Sequence, residues 1–104
     1  MRLSDGTELT FKETTYADMF ERRAILAFDK KTGELYGDIT INLPGYMLED
    51  NRVFLTANSP ALIQEMVDQG YLRIHGSVKY NYETYEIGEF LQKFEDEVRP
   101  FDEE

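Results

Sequence analysis

The side chains that could do chemistry are few and lie apart. His75 is the single histidine and stands in Arg73-Ile74-His75-Gly76. A catalytic imidazole needs an orienting carboxylate and a nucleophile or substrate proton within reach. Nothing near it in sequence supplies that set, so it reads as a histidine at a loop or strand end. Glu49-Asp50-Asn51 has oxygen ligands but lacks the regular offsets and turn glycine of a hard-cation loop, and it reads as a polar turn. Glu83 and Glu86 could be imagined as a glycosidase pair, yet that work needs a cleft and one raised carboxyl pKa. Solvated strand positions are the simpler assignment. The chain has no cysteine, which removes disulfides, thiolate metal sites and cysteine nucleophiles. The expectation is a protein that is not an enzyme, with no catalytic residues, no metal ligands and no cofactor.

Two groups remain, and both suit contact rather than catalysis. Tyr80, Tyr82 and Tyr85 lie near Arg73 and Lys79, in type the mixture of a single-strand binder. Stacking platforms sit in positive grooves, however, and Glu83 and Glu86 flank these rings. Sheet packing or a protein-contact face fits better, since tyrosine is favoured in both. The second group is acidic. The net charge is −10, and it is uneven: residues 1–80 hold 12 acids and 9 bases, residues 81–104 hold 9 acids and 2 bases. Such a balance opposes direct binding to a phosphate backbone and to an anionic membrane. Glu95-Asp96-Glu97 and Asp102-Glu103-Glu104 form the acidic end, to which Glu83, Glu86 and Glu89 add. One reading is a solvated, solubilising segment. The sharper one is a surface aimed at a basic partner, with helix neighbours about 5–6 Å apart presenting a line of carboxylates in imitation of nucleic acid. The expected partner-binding set is Tyr80, Tyr82, Tyr85, Glu83, Glu86, Glu89, Glu95, Asp96 and Glu97.

The elements that must carry these residues follow from periodicity. A chain of 104 residues fits one domain. Leu9-Thr10-Phe11 and Arg23 to Phe28 read as strands, the second closed by a hairpin loop at Asp29-Lys30-Lys31-Thr32-Gly33. Tyr16 to Glu21 is too short to assign to helix or loop. Leu35, Gly37, Ile39, Ile41 and Leu43 alternate with Tyr36, Asp38, Thr40 and Asn42, the mark of an antiparallel sheet covered on one side. After Val53–Thr56, Ser59 can cap a helix with Pro60 at its first position and Leu62, Ile63, Met66 and Val67 as its apolar stripe. Gly70 supplies the stop. Tyr71 to Ile87 is strand-like, interrupted at His75-Gly76. Its parity switch between Tyr80/Tyr82 and Tyr85/Ile87 calls for a bulge near Glu83-Thr84 or two separate strands. Phe90, Leu91, Phe94 and Val98 have helical spacing, with Glu89 and Lys93 as an i,i+4 pair and a frayed tail from residue 99. The expected fold is a single α+β domain (1–104): an antiparallel β-meander of four to five strands, one inserted helix and a C-terminal helix packed on one face. No signal-peptide core or bilayer-length apolar run is visible, so the expected compartment is the cytoplasm.

The block Arg23-Ala24-Ile25-Leu26-Ala27, Thr32-Gly33-Glu34 and Ile39-Thr40-Ile41-Asn42-Leu43-Pro44-Gly45-Tyr46-Met47-Leu48, with Tyr16-Ala17 before it and Asn58-Ser59-Pro60 after it, resembles an uncharacterised family. Its members are small acidic proteins carried on conjugative elements, plasmids and phages of Gram-positive bacteria. The resemblance spans residues 10–90 and weakens after Gly70. It carries no catalytic residues over, and it implies a genomic context in which small acidic proteins inhibit host defence. The implied function is a non-enzymatic inhibitor of anti-CRISPR or antirestriction type. The implied partner is a protein with a basic nucleic-acid-binding surface, such as a CRISPR effector or restriction nuclease. A regulatory or assembly module of the mobile element is one alternative, and a small enzyme with an unrecognised site is the other.

Overall fold

Strand alternation builds most of the molecule. The computed structural model describes residues 1–17, 22–43, 45–49 and 51–101. Among these, β1 (Leu9–Thr15), β2 (Arg23–Asp29), β3 (Leu35–Asp38) and a two-residue β8 (Arg99–Pro100) form one sheet in the order β3-β2-β1-β8. The second sheet runs β4-β5-β7-β6, from β4 (Thr40–Ile41), β5 (Val53–Leu55), β6 (Leu72–Tyr80) and β7 (Glu83–Phe90). Helices α1 (Pro60–Asp68) and α2 (Gln92–Glu95) complete an α+β fold. Its strands exceed the expected four to five, and they form two sheets rather than one meander. Asp18 to Glu21, in the stretch left unassigned from sequence, lie outside the described residues.

The extra sheet arises where one alternating run was expected. From Leu35 to Leu43 the chain leaves the first sheet and joins the second at Ile39, whose N–H donates to Ile25 O (3.0 Å) while its carbonyl accepts from Thr56 N (3.0 Å). The face that meets the core therefore changes along the run. Ile39 and Leu43 are buried, whereas Leu35 is 58% exposed. Thr40, expected on the wet face, is buried instead. Its hydroxyl oxygen accepts from Ile25 N (3.0 Å) and pairs with the Tyr16 hydroxyl (2.9 Å), so the polar group is satisfied.

One core joins the sheets and helices. Leu9, Phe11, Ile25 and Ala27 come from the first sheet and Val53, Leu55, Leu72 and Phe90 from the second. Leu62, Ile63 and Met66 of α1 and Phe94 of α2 close it. Gly88 sits where β7 crosses under this core: a Cβ there would lie 2.9 Å from Leu55 Cδ1 and 3.1 Å from Leu72 Cδ1. Helix α1 ends as expected at Gly70, with φ +82°. Gly70 N donates to Val67 O and Tyr71 N to Met66 O, the paired bonds of a Schellman motif. At its start Ser59 holds the N-cap position with Pro60 after it, but its side chain makes no capping bond. The expected hydroxyl cap is absent, and the helix rests on its buried stripe.

The C-terminal region differs most from expectation. Phe90 belongs to β7 and pairs with Leu72, so the ladder outcompetes the helical spacing of Phe90, Leu91, Phe94 and Val98. Only one helical turn follows, and in it Phe94 stacks on Phe90 with ring centroids 4.0 Å apart. Residues 99 and 100, expected to fray, pair in parallel with Lys12 and Glu13 of β1, and Phe101 N donates to Glu13 O (2.7 Å). Residues 102–104 lie outside the described residues. Among the described residues, no helix is long and apolar enough to cross a membrane.

Candidate interaction site

The register of β6 and β7 places the tyrosines. Tyr80 pairs with Glu83 across a two-residue turn, Asn81-Tyr82, and Val78 pairs with Tyr85. Of the two explanations expected for the parity switch, two separate strands is the one observed, with this turn joining β6 to β7, and the bulge falls instead at His75, between Ile74 and Gly76. Strand β5 covers β7 only at Gly88 and Ile87, and β6 is the sheet edge. Beyond Ile87 the two strands therefore continue as a ribbon with no third strand beside them among the described residues.

Cross-strand partners share a face, so the ribbon has two different sides. Val78, Tyr80, Tyr85 and Ile87 lie on one, all half-buried. Tyr46 braces it, with its ring edge-on to Tyr80 (5.9 Å) and Phe54 (6.1 Å) and its hydroxyl donating to Lys79 O (2.7 Å). Ser77, Lys79, Thr84 and Glu86 on the other side are exposed. At the tip Asn81 and Tyr82 both have positive φ, +49° and +69°, as a type I′ turn requires. Asparagine tolerates that region, but tyrosine does so at a cost. The Tyr82 side chain is fully exposed.

The acids divide into engaged and presented groups. Glu83 and Glu86 are exposed and form no ion pair with a described residue. Glu89 is engaged: His75 Nε2 lies 2.8 Å from its Oε1, Asn51 donates to its Oε2 (3.0 Å), and Arg52 and Arg73 stand 3.7 and 3.9 Å away. The His75 bond, then the two arginines, outweigh burial and hold the Glu89 carboxyl below its ordinary range. It does not pair with Lys93, whose ammonium donates to Gln69 O (2.9 Å). His75 thus has the orienting carboxylate that its sequence neighbourhood lacks, brought by the next strand from 14 residues away. Glu49 lies 3.5 Å from Arg52 and Asp50 is outside the described residues. Among the described residues no cluster of three metal-ligating side chains occurs.

Glu95 and Glu97 are built into the fold. Arg23 binds Glu13 through Nε (2.6 Å) and Nη2 (2.8 Å), and Glu95 through Nη1 (3.0 Å) and Nη2 (2.8 Å). Its guanidinium lies over the rings of Phe90 and Phe94, 5.2 and 5.8 Å from their centroids. Burial opposes the charge on Arg23, but the bonds to Glu13 and Glu95 prevail and raise its pKa. Glu97 receives the Met1 ammonium (2.6 Å) and the Tyr71 hydroxyl. Burial and then this carboxylate push the Tyr71 hydroxyl up to about 12. Asp96 is exposed, with one oxygen accepting from the Gln92 amide (2.9 Å). A single turn of helix cannot present the expected line of carboxylates. The structure therefore brings Tyr80, Tyr82, Tyr85, Glu83 and Glu86 together on one ribbon and sets Glu89, Glu95, Asp96 and Glu97 apart from its tip.

Sequence reasoning missed Tyr46 as a brace and Arg23 as a clamp, since both act across long sequence separations. The turn left a signal: an asparagine in a two-residue gap between strand-like runs. Compared with family models, with curated proteins and with solved structures, the chain matches none.

Proposed function

We propose that this chain is a non-enzymatic, acidic protein-binding module that docks its β6–β7 ribbon on the basic nucleic-acid-binding surface of a partner and thereby inhibits it. The observation that carries the reading is the tip. A fully exposed tyrosine is held at φ +69°, where glycine would cost less, and two exposed carboxylates with no ion pair among the described residues, Glu83 and Glu86, follow it. Aromatic anchors ringed by polar groups are the usual centres of protein interfaces. The net charge of −10 adds long-range attraction to a basic groove. The narrower form, a host defence complex such as a CRISPR effector or restriction nuclease, rests on the resemblance of residues 23–48 to proteins of mobile elements.

The test is capture from a bacterial lysate on the immobilised chain, beside a Glu83→Lys/Glu86→Lys variant, followed by direct binding of the recovered protein. Affinity should fall steeply with salt and, for the variant, chiefly through slower association. Nucleic acid should compete. Equal recovery by the variant, or indifference to salt, sinks the reading. The His75–Glu89 pair favours the enzyme alternative, because an oriented imidazole is half of a general base. His75→Ala should leave inhibition intact, and its loss in a folded variant would revive that alternative.

A further inference from the structure

A second charged feature lies on the opposite sheet and has the other sign. Beside the outer edge of β1 is a cleft of about 470 Å³, whose lining includes Arg2, Lys12, Lys30 and Arg99. Four of the chain's 11 basic residues thus line one concavity in a molecule of net charge −10. Three acids line it too, Glu8, Asp96 and Glu97; Glu8 and Glu97 are held in ion pairs, while Asp96 keeps its charge with one oxygen accepting a neutral amide N–H. Glu8 pairs with Arg2 (3.1 Å) and Lys30 (3.9 Å). Glu97 takes the Met1 ammonium and the Tyr71 hydroxyl, and Asp96 the Gln92 amide.

Lys12 and Arg99 are left over. They are direct partners in the parallel pairing of β1 and β8, and like charges facing each other across a ladder repel. Among the described residues Lys12 forms no ion pair, and the Arg99 guanidinium bonds only to the carbonyls of Asp96 (3.2 Å) and Val98 (2.8 Å). The cleft floor adds a neutral donor. Leu9 N donates to Met1 O and Glu13 O accepts from Phe101 N, both on the edge away from β2. Strand alternation turns the N–H of Phe11, midway between them, to that same edge.

We propose that this cleft binds a phosphoryl group, with Lys12 and Arg99 as its two charged ligands and the Phe11 N–H as a third donor. An oxyanion between the two cations converts their repulsion into two charge-assisted bonds, and guanidinium geometry suits a phosphoryl oxygen pair. The volume exceeds that of a free phosphate and admits a phosphorylated small molecule. The site is independent of the ribbon, and its failure leaves the proposed function untouched.

The experiment is an amide-shift titration of the full chain at low ionic strength with inorganic phosphate and, separately, a nucleoside monophosphate. Saturable shifts are expected at Phe11, Lys12 and Arg99, with a Kd of about 1 mM or tighter. Tighter binding of the nucleotide identifies a phosphorylated small molecule as the ligand, and equal binding identifies the free anion. Lys12→Met and Arg99→Met should each weaken binding at least about tenfold, the scale of one lost charge-assisted bond, whereas Lys31→Met, outside the cleft, should not. Without phosphate, Lys12→Met should melt no lower than the parent, because it relieves a repulsion. Non-saturating shifts spread over the surface lysines, or equal losses from Lys31→Met, overturn the proposal.

Discussion

Replacing Tyr82 by glycine should make the protein more stable and a worse binder at once. An L-residue in the left-handed region costs about 1–2 kcal/mol, and Tyr82 occupies it at φ +69°. Glycine removes that cost but loses about 0.5–1 kcal/mol more chain entropy on folding. The ring contributes little in return, because it is fully exposed. The net gain is on the order of 0.5–1 kcal/mol, or roughly 2–8 °C in Tm for a domain of this size. Tyr82→Ala separates the two effects, keeping the strained backbone and deleting the ring, so its stability should match the parent. Urea and thermal unfolding read the stability side, and binding to the captured partner reads the other. If the tip is the anchor, both variants lose affinity by on the order of 2 kcal/mol, as hot-spot aromatics do. A Tyr82→Ala variant destabilised by more than about 1 kcal/mol would show that the ring supports the fold, and unchanged affinity would show that the partner does not touch it; either refutes the reasoning.

Three further outcomes follow from the packing. Gly88→Ala should cost about 1–3 kcal/mol by overpacking, since its Cβ would meet Leu55 at 2.9 Å in the core; chemical denaturation measures it. Ser59→Ala should cost well under the ~1 kcal/mol of a working cap, because the hydroxyl makes no capping bond; the shift of the urea midpoint decides. The Tyr71 hydroxyl is raised from 10.0 to about 12, so its neutral form favours the fold. That contribution, on the order of 2–3 kcal/mol, is complete below pH 10 and lost between 10 and 12. Unfolding midpoints across that window should fall more steeply for the parent than for Tyr71→Phe.

Local signals in the sequence were reliable where local physics decides. Gly70 closes α1 because a left-handed residue was needed there, and Leu62, Ile63 and Met66 are buried because their spacing is that of one helical face. Failures came where a distant partner wins. Ile39 changes sheets because Ile25 and Thr56 bond to it on either side, and no window around residue 39 contains either. Phe90 has helical spacing with Phe94, yet Leu72 claims it for the ladder. The candidate site divides the same way. The tyrosines and Glu83 were legible as a cluster, because a hairpin keeps sequence neighbours together. The engagement of Glu89, Glu95 and Glu97 was not, because His75, Arg23 and Tyr71 reach them across 14 to 72 residues.

That division bears on how an acidic protein can recognise a basic one. Charge that steers encounter need not be charge that makes contact, because the field of the whole molecule acts over a Debye length of about 8 Å or more. Glu95 and Glu97 add to that field while holding α2 and the β7 end against the body through Arg23, the Met1 ammonium and Tyr71. Reversing their charge therefore perturbs the fold and the field together, and a lost interaction in such a variant locates no surface. Glu83 and Glu86 have no such second role among the described residues. They stand on a ribbon braced by Tyr46 and, among the described residues, free of a third strand beyond Ile87. If the proposed function holds, a contact made there can change without touching the core, and the ribbon is separable from the charged scaffold that would bring it to a partner.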